Sequence, residues 1–456
     1  MSSPQRTKLA ALSFPKSLAL TENRALRYVC YFLLYFSQGA PIGLWTIAVP
    51  SWLAVNGASA GEIGGFIGLA MLPWAAFKLF YGAFMDRYTF PPMGRKRVWL
   101  IAAQAGAILS LIVLAIFAPG IEEMALLTAI AFFMNVAITI QDSAIDGIAV
   151  EVTPEEQRVS ANSVMFAGQI IGTGVAAAVA GLLLKFYGIG AVALCFAAFL
   201  GVVLAIVILV RERPGERMLP WTGGKASVEC MALHRTQWLP LLKDMRKAFF
   251  QRRILFFVPA FMSTGAIYAS LDVGGPIFAS EVLQWDETGY SSLAGVAGIV
   301  AGLGCMLLLG SVTKRIGATF TGILLFLVMA LASLIFAILE PVQQTELNFR
   351  IYVFVQTIAA QAMFIMFCAT AMNLCLKTIS ATQFSLLVAT SSVARVISSA
   401  MMGDVYDLGG ITGFWNVITL ASLFGLVTFV VFSRLDARAT REQGIFQDRR
   451  RSFRAA

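Results

Sequence analysis

The residues from Lys78 to Gln104 read KLFYGAFMDRYTFPPMGRKRVWLIAAQ and join two apolar segments of the chain. The first segment ends near Asp86 and Arg87, and two prolines separate it from the basic cluster Gly94–Arg97. The second apolar segment starts at Val98. Because ionised lysine and arginine side chains are costly in hydrocarbon, a basic cluster between apolar segments is typical of a cytosolic loop. The stretch therefore predicts two membrane-spanning helices that are joined on the cytosolic side.

The composition predicts that the whole chain is built from such helices. Of its 456 residues, 58% are hydrophobic and 13% are charged, and the mean hydropathy is +0.79. An ordinary soluble domain carries about 25% charged residues. Apolar runs of about 18 residues or more, which suffice for a helix to cross a bilayer, recur along the chain. We expect an all-α membrane protein with twelve spans, at residues 26–53, 62–85, 98–118, 124–149, 160–184, 188–210, 254–279, 288–312, 317–339, 349–376, 382–405 and 412–433.

The charged residues predict the orientation of these spans. The chain has 34 Lys and Arg against 25 Asp and Glu, which gives a net charge of +9. Most of the basic residues fall in loops on one side of the predicted membrane, whereas the loops on the other side are acidic. Since basic loops face the cytosol, we expect both termini there, in a multi-pass protein of a bacterial inner membrane. The net charge then reflects topology, and we expect no nucleic-acid partner.

A long basic loop at 211–253 divides the predicted spans six and six. We expect an N-terminal bundle with its tail at 1–210, a basic cytosolic linker at 211–253, a C-terminal bundle at 254–434 and a basic cytosolic tail at 435–456. Two pseudo-symmetric six-helix bundles with a site between them at the middle of the membrane are the plan of many secondary transporters.

Three blocks resemble one family in particular. The first is the opening stretch, which follows the pattern MDRYT-x-P-x-x-GR-(K/R)-R-x-W. The second, Gln141–Arg158, reads QDSAIDGIAVEVTPEEQR and is similar to QD-x-x-x-DA-W-x-x-(D/E)-x-x-P-x-EER. The third, Ser380–Val396, reads SATQFSLLVATSSVARV and is similar to SATQFALLSALSAVGRV. Together they resemble the AmpG-like branch of the major facilitator superfamily, which includes muropeptide permeases and relatives of acetyl-CoA transporters.

The chain also departs from this family pattern. Gly147 and Ile148 stand where the family motif has Ala and Trp. Muropeptide permeases are expected to have a Lys and an Asp early in the seventh helix and a Glu-Asn pair in the tenth. The corresponding stretches here are Ser263–Tyr268 and Gln356–Thr357. The resemblance therefore implies the fold more firmly than it implies the substrate.

Few ionisable residues fall inside the predicted spans, where each is costly and usually faces a cavity or a partner. Asp142 and Asp146 are four residues apart and so lie on one face of a helix. Two carboxylates this close titrate as a pair, which suits a proton-coupled carrier. The alternative is a permanent ion pair with Lys78, with Arg158 or with a helix end.

Three further charges have two interpretations each. Lys78 either neutralises Asp142 or binds an anionic group of a substrate. Arg395 has a planar guanidinium that suits carboxylate or phosphate. In one interpretation it contacts substrate or a gate, and in the other it holds two helices together. Asp272 is either a second proton-coupling acid or a partner in an external gate.

The remaining candidates are polar residues of two kinds. Those that we expect to line a substrate cavity, together with Lys78 and Arg395, are Tyr35, Gln38, Trp45, Gln141, Gln169, Tyr268, Gln356, Gln361 and Asn373. Buried amides often only bond one helix to another, so a share of these is expected to be structural. Those that we expect to form a cytosolic gate of ion pairs are Asp86, Arg87, Arg95, Arg97, Glu151 and Arg158.

The sequence thus predicts a secondary active transporter that imports a solute by alternating access, with protons as the expected coupling ion. The resemblance favours muropeptide-like or peptide-like cargo; a siderophore or acyl-CoA-like anion transporter and a drug exporter remain alternatives with the same fold. We expect a monomer in the lipid bilayer. No phosphate-binding loop, nucleophile motif or metal-ligand spacing points to an enzyme, a cofactor or a metal site.

Overall fold

The computed structural model describes residues 18–154, 157–232, 251–338, 345–374 and 380–455. Their regular structure is helical, apart from one isolated bridge between Ala19 and Arg211. The first helices are α1 (Arg24–Val55), α2 (Ala60–Ala76 with Lys78–Arg87), α3 (Arg97–Phe117), α4 (Met124–Val152), and α5 and α6, which share the run Arg158–Leu209. The later ones are α7 (Arg252–Glu281), α8 (Glu287–Ile316), α9 (Ala318–Ile338) and α10 (Glu346–Leu374). Helix α11 comprises Ser380–Ala400 and the part of the run Met402–Ala455 that precedes Gly410, and α12 is the part of that run that follows Gly410.

Two glycines divide helical runs that are too long for one crossing. The run Arg158–Leu209 has 52 residues, and at 1.5 Å per residue it would extend about 78 Å, more than twice the hydrocarbon thickness of about 30 Å. Gly188, with φ 74° and ψ 178°, reverses the chain between α5 and α6. Gly410, with φ 57° and ψ −154°, does the same between α11 and α12. Glycine is the residue that adopts such positive φ angles without steric cost.

The prediction of an all-α membrane protein with twelve spanning helices is confirmed. Nine helical stretches of the described chain are each long and apolar enough to cross a membrane. One of them, Ser163–Leu209, contains both α5 and α6. The divided α2 and the more polar α11 complete the twelve.

The helices form two six-helix halves, α1–α6 and α7–α12. We call the side of the molecule with Arg95, Lys96 and Arg252 the basic face, and the side with Glu122 and Asp286 the acidic face. The halves meet where α2 packs on α11 and where α5 packs on α8. Each contact needs glycine, because a Cβ on Gly64 of α2 would collide with the carbonyl oxygen of Ser399, and one on Gly174 of α5 with that of Gly295 in α8.

The residues Arg211–Ala232, which we call the linker cap, fold against the basic face of the first half. Glu212, buried to 1% exposure, accepts hydrogen bonds from the backbone N–H groups of Arg95, Lys96 and Arg97 at 3.1, 3.0 and 2.7 Å. Its carboxylate thereby satisfies the free donors at the N-terminus of α3. Burial, together with the negative charge of Glu212, raises the pKa of Glu216 to about 7. The cap is therefore a folded part of the first half.

Candidate functional site

A cavity of about 250 Å³ lies between the two halves. Helices α1, α2, α4 and α5 line one side, and α7, α8, α10 and α11 line the other. The predicted residues that line it are Tyr35, Lys78, Asp142, Asp146, Gln169, Tyr268, Asp272, Gln361 and Arg395. The structure therefore brings nine of the sequence candidates to one place, with ionisable side chains from both halves.

On the first half, a lysine and two aspartates lie together. Lys78 Nζ is 2.5 Å from Asp142 Oδ2, and both side chains are buried. Gln38 donates its amide N–H to Asp142 Oδ1 at 2.6 Å. One helical turn further along α4, Asp146 is partly exposed, and its Oδ1 accepts a hydrogen bond from the Tyr35 hydroxyl at 2.5 Å. Asp142 thus has a cationic partner, whereas the partner described for Asp146 is neutral.

On the second half, one ion pair joins two helices. The Arg395 guanidinium of α11 donates to Asp272 Oδ2 of α7 through Nε at 2.8 Å and through Nη2 at 2.5 Å. The same guanidinium lies over the Tyr268 ring, 5.4 Å from its centroid. Because two donors and a ring fix its plane, the guanidinium is held in one orientation at the cavity wall.

Aromatic side chains form much of the remaining wall and were missed by the sequence reasoning. They are Trp74, Phe166, Tyr290, Phe364 and Phe384. Helical spacing offered a signal, since Trp74 precedes Lys78 by four residues and Phe364 follows Gln361 by three. Aromatic faces beside a few fixed polar groups are typical of a small-molecule site.

Three predicted cavity residues lie elsewhere, in the packed interior of one half. Gln141 donates to the Leu34 carbonyl at 2.9 Å, because it is the neighbour of Asp142 along α4 and so faces another helix. Trp45 donates to Met134 Sδ at 3.3 Å. Gln356 donates to the Met329 carbonyl at 3.0 Å and to Ser333 Oγ at 2.7 Å. Gln38 reaches the cavity only through its bond to Asp142.

The predicted gate residues fall into three groups. Arg95 and Glu151 form an ion pair at 2.7 Å, between the loop before α3 and the end of α4. Arg97 is a correction: among the described residues its guanidinium meets carbonyl oxygens, those of Val207, Ile208, Arg217 and Met218, because the end of α6 and the linker cap present them together. Asp86, Arg87 and Arg158, and the cavity candidate Asn373, have side chains outside those that the structure describes.

Twelve spanning helices in two halves around a cavity with charges from both define a membrane transporter. The family model of the Major Facilitator Superfamily matches residues 28–399, and the chain belongs to this superfamily. The proteins of this family and the relatives named below are transporters, so the chain is a transporter and not an enzyme.

The resemblance to the AmpG-like branch is confirmed by a curated relative. The chain is 27% identical over 435 residues to the Anhydromuropeptide permease of Escherichia coli (strain K12), covering 89% of this chain and 79% of that protein. The permease of Escherichia coli O157:H7 matches to the same extent.

Solved structures agree on the fold. A POT family transporter in complex with 5-aminolevulinic acid superposes with a TM-score of 0.67 at 14% identity, over 89% of this chain and 96% of that one. The nucleoside transporter NupG superposes with a TM-score of 0.61 at 16% identity, over 89% and 98%. At these identities the likeness concerns the fold alone.

Proposed function

We propose that this protein imports a muropeptide-like or peptide-like solute across the bacterial inner membrane by alternating access, driven by the proton gradient. The observation that carries the proposal is the set of charges on the cavity wall. Three carboxylates, those of Asp142, Asp146 and Asp272, face two cations, Lys78 and Arg395. This imbalance favours a cavity that takes up positive charge together with its cargo.

Asp146 is the best candidate for the proton-binding group. Asp142 and Asp272 each have a cation within 2.5 Å, whereas Asp146 receives the Tyr35 hydroxyl. An ionised carboxylate without a cation is costly inside a membrane, so a proton or a cationic substrate group neutralises it. Its partly exposed position allows either to reach it from the cavity.

Lys78 links proton binding to cargo binding. When Asp146 takes up a proton, Asp142 is the one ionised carboxylate left beside Lys78 on α4, so the Lys78 ammonium is less fully neutralised and can also bind an anionic group. Arg395 supplies a second cation from the opposite half. A solute with two anionic groups therefore draws the halves together around the cavity, as alternating access requires.

The cargo class rests on two supports. One is the 27% identity to a protein named Anhydromuropeptide permease. The other is the chemistry of the wall, where cations suit carboxylates and aromatic rings suit the apolar faces of sugars and peptides. In this proposal the basic face is cytosolic, so both termini are cytosolic, and the protein works as a monomer.

Uptake into proteoliposomes tests the proposal. We expect an anhydromuropeptide to accumulate when the lumen is alkaline and to stop accumulating when a protonophore dissipates the gradient. Asp146→Asn keeps an acceptor for Tyr35 but cannot bind a proton, so we expect it to retain ligand-induced thermal stabilisation and lose the stimulation by the gradient. Asp407→Asn, at an exposed acid outside the cavity, is the matched control.

The same assay has outcomes that contradict the proposal. Accumulation of the solute that does not depend on the proton gradient excludes proton coupling. Thermal stabilisation by a siderophore or a CoA ester, with none by muropeptides or peptides, replaces the proposed cargo.

A further inference from the structure

The linker cap contains a rigid turn at its exposed tip, from Arg217 to Gly224. Arg217 Nε donates to the Gly224 carbonyl at 3.1 Å and Nη1 donates to the Pro220 carbonyl at 2.9 Å. The Thr222 hydroxyl accepts the N–H of Met218 at 3.0 Å. These bonds fix the conformation of the turn, so the position of Trp221 within it is fixed as well.

This turn lies at the level where α6 ends. Arg97 Nη2 donates both to the Ile208 carbonyl, in the last turn of α6, at 2.5 Å and to the Met218 carbonyl at 2.8 Å. One nitrogen therefore holds the turn beside the end of a membrane-spanning helix. Leu209, the last residue of α6, is 51% exposed, as expected of a side chain that faces lipid.

Large apolar side chains project from the cap although it lies outside the spanning helices. Trp221 is 79% exposed and Val228 is 86% exposed. Met231, one helical turn after Val228, is exposed too, whereas Cys230 is buried against Pro91. Exposed apolar side chains in one folded loop mark a surface that contacts another apolar medium. Lys225, four residues after Trp221, is exposed and basic.

We propose that the linker cap binds anionic phospholipid at the basic face, with the Trp221 indole in the headgroup layer and Lys225 at a lipid phosphate. The level of the turn and the lipid-facing Leu209 next to it favour a membrane over a partner protein. Tryptophan is enriched at membrane interfaces, and basic residues there attract anionic headgroups. Bound in this way, the cap fixes the first half to its leaflet while the second half moves.

Fluorescence quenching locates Trp221. The full chain is placed in nanodiscs whose lipids carry bromine near the headgroup, and the emission of Trp221→Phe is subtracted from that of the parent protein. We expect the difference emission to be strongly quenched by brominated lipid and weakly by aqueous iodide. Strong quenching by iodide with none by brominated lipid overturns the proposal, and so does quenching that depends on protein concentration, since that indicates contact between protein copies.

Lipid titration tests the headgroup preference. We expect phosphatidylglycerol to bind in preference to phosphatidylcholine, and Lys225→Gln to weaken that binding about fivefold, the effect of one basic residue near an anionic surface. Lys314→Gln is the matched control, because Lys314 is also exposed on the basic face but lies in the second half. Equal binding of both lipids, or equal effects of the two variants, overturns the assignment. Neither experiment uses a transported solute, so the result is independent of the proposed function.

Discussion

At the scale of single residues, the pair of Lys78 and Asp142 is the most consequential contact in the first half. Removing two charges from water is costly, and their mutual attraction offsets that cost only while both are present. The side chains are 9% and 4% exposed, so water can replace a missing partner only in small part. Gln38, which also bonds to Asp142, is uncharged and cannot neutralise either ion.

Removal of one partner is therefore expected to lower the free energy of unfolding more than removal of both. We expect Asp142→Asn to lower the free energy of unfolding by about 3–5 kcal/mol, since it leaves the Lys78 ammonium buried without its counter-charge. The double variant Lys78→Met with Asp142→Asn is expected to recover most of this loss. Thermal unfolding in detergent measures both, and a double variant as unstable as the sum of its two single variants would contradict the assignment.

The sequence predicted residue types better than it predicted residue partners. The spacing of Asp142 and Asp146 placed both on one face of α4, and both line the cavity. The sequence did not show that Asp142 lines the cavity whereas Gln141 packs against another helix, because a hydropathy pattern identifies a polar residue without showing what that residue faces. Arg97 shows the same limit, since its carbonyl partners belong to the end of α6 and to the linker cap, more than a hundred residues away along the chain.

At the scale of elements, the interruption of α2 could not be located from hydropathy. Phe77, whose angles of φ −95° and ψ −25° remain in the helical region, lies between Ala60–Ala76 and Lys78–Arg87, so the irregularity is slight. Pro73, four residues earlier, lacks an N–H and its ring crowds the preceding turn. The second segment contacts α4 of its own half and α11 of the other. Because Lys78 begins this segment, the ion pair with Asp142 holds it against α4.

Straightening α2 is expected to slow transport without weakening the fold. Pro73→Ala restores a backbone donor and can stabilise the helix by up to about 3 kcal/mol. We expect an unchanged or higher unfolding temperature and ligand affinity, with a lower maximal uptake rate, because the segment that contacts both halves becomes less free to move. Pro259→Ala in α7 is the control, and an unchanged uptake rate in Pro73→Ala would exclude the hinge.

At the scale of the whole molecule, the halves are in close contact on the acidic side of the cavity. Lys185 at the end of α5 and Asp286 before α8 form an ion pair across the halves at 2.6 Å. Hydrogen bonds from Lys185 and Thr288 lower the pKa of Asp286 to about 2. A lowered carboxyl pKa means that the pair stabilises this state above the ordinary pKa and is lost only as the pH falls towards 2. A response to pH near neutrality must therefore come from other groups.

Close contacts at glycines of α2 also hold the two halves together on the acidic side of the cavity. Gly64 of α2 faces the Ser399 carbonyl of α11, and Gly68, one turn away, faces that of Val396. A Cβ added at Gly64 would collide with backbone, which cannot move aside as a flexible side chain can. Its neighbour Gly65 has no atom within 4 Å of such a Cβ, so the two adjacent positions differ only in whether they face the other half.

These two glycines allow the alternation of the halves to be tested directly. We expect Gly64→Val to separate α2 from α11 and to shift the population towards a state that is open on the acidic face, whereas Gly65→Val leaves it unchanged. Spin labels at Asn56 and Leu408, both exposed at the acidic ends of their helices, report the separation of the halves by pulsed electron paramagnetic resonance. A longer distance in Gly64→Val alone supports rocking of two rigid halves, because close packing transmits a local clash along both helices. The same distances in both variants would mean that α2 bends locally, and the halves would then not move as units.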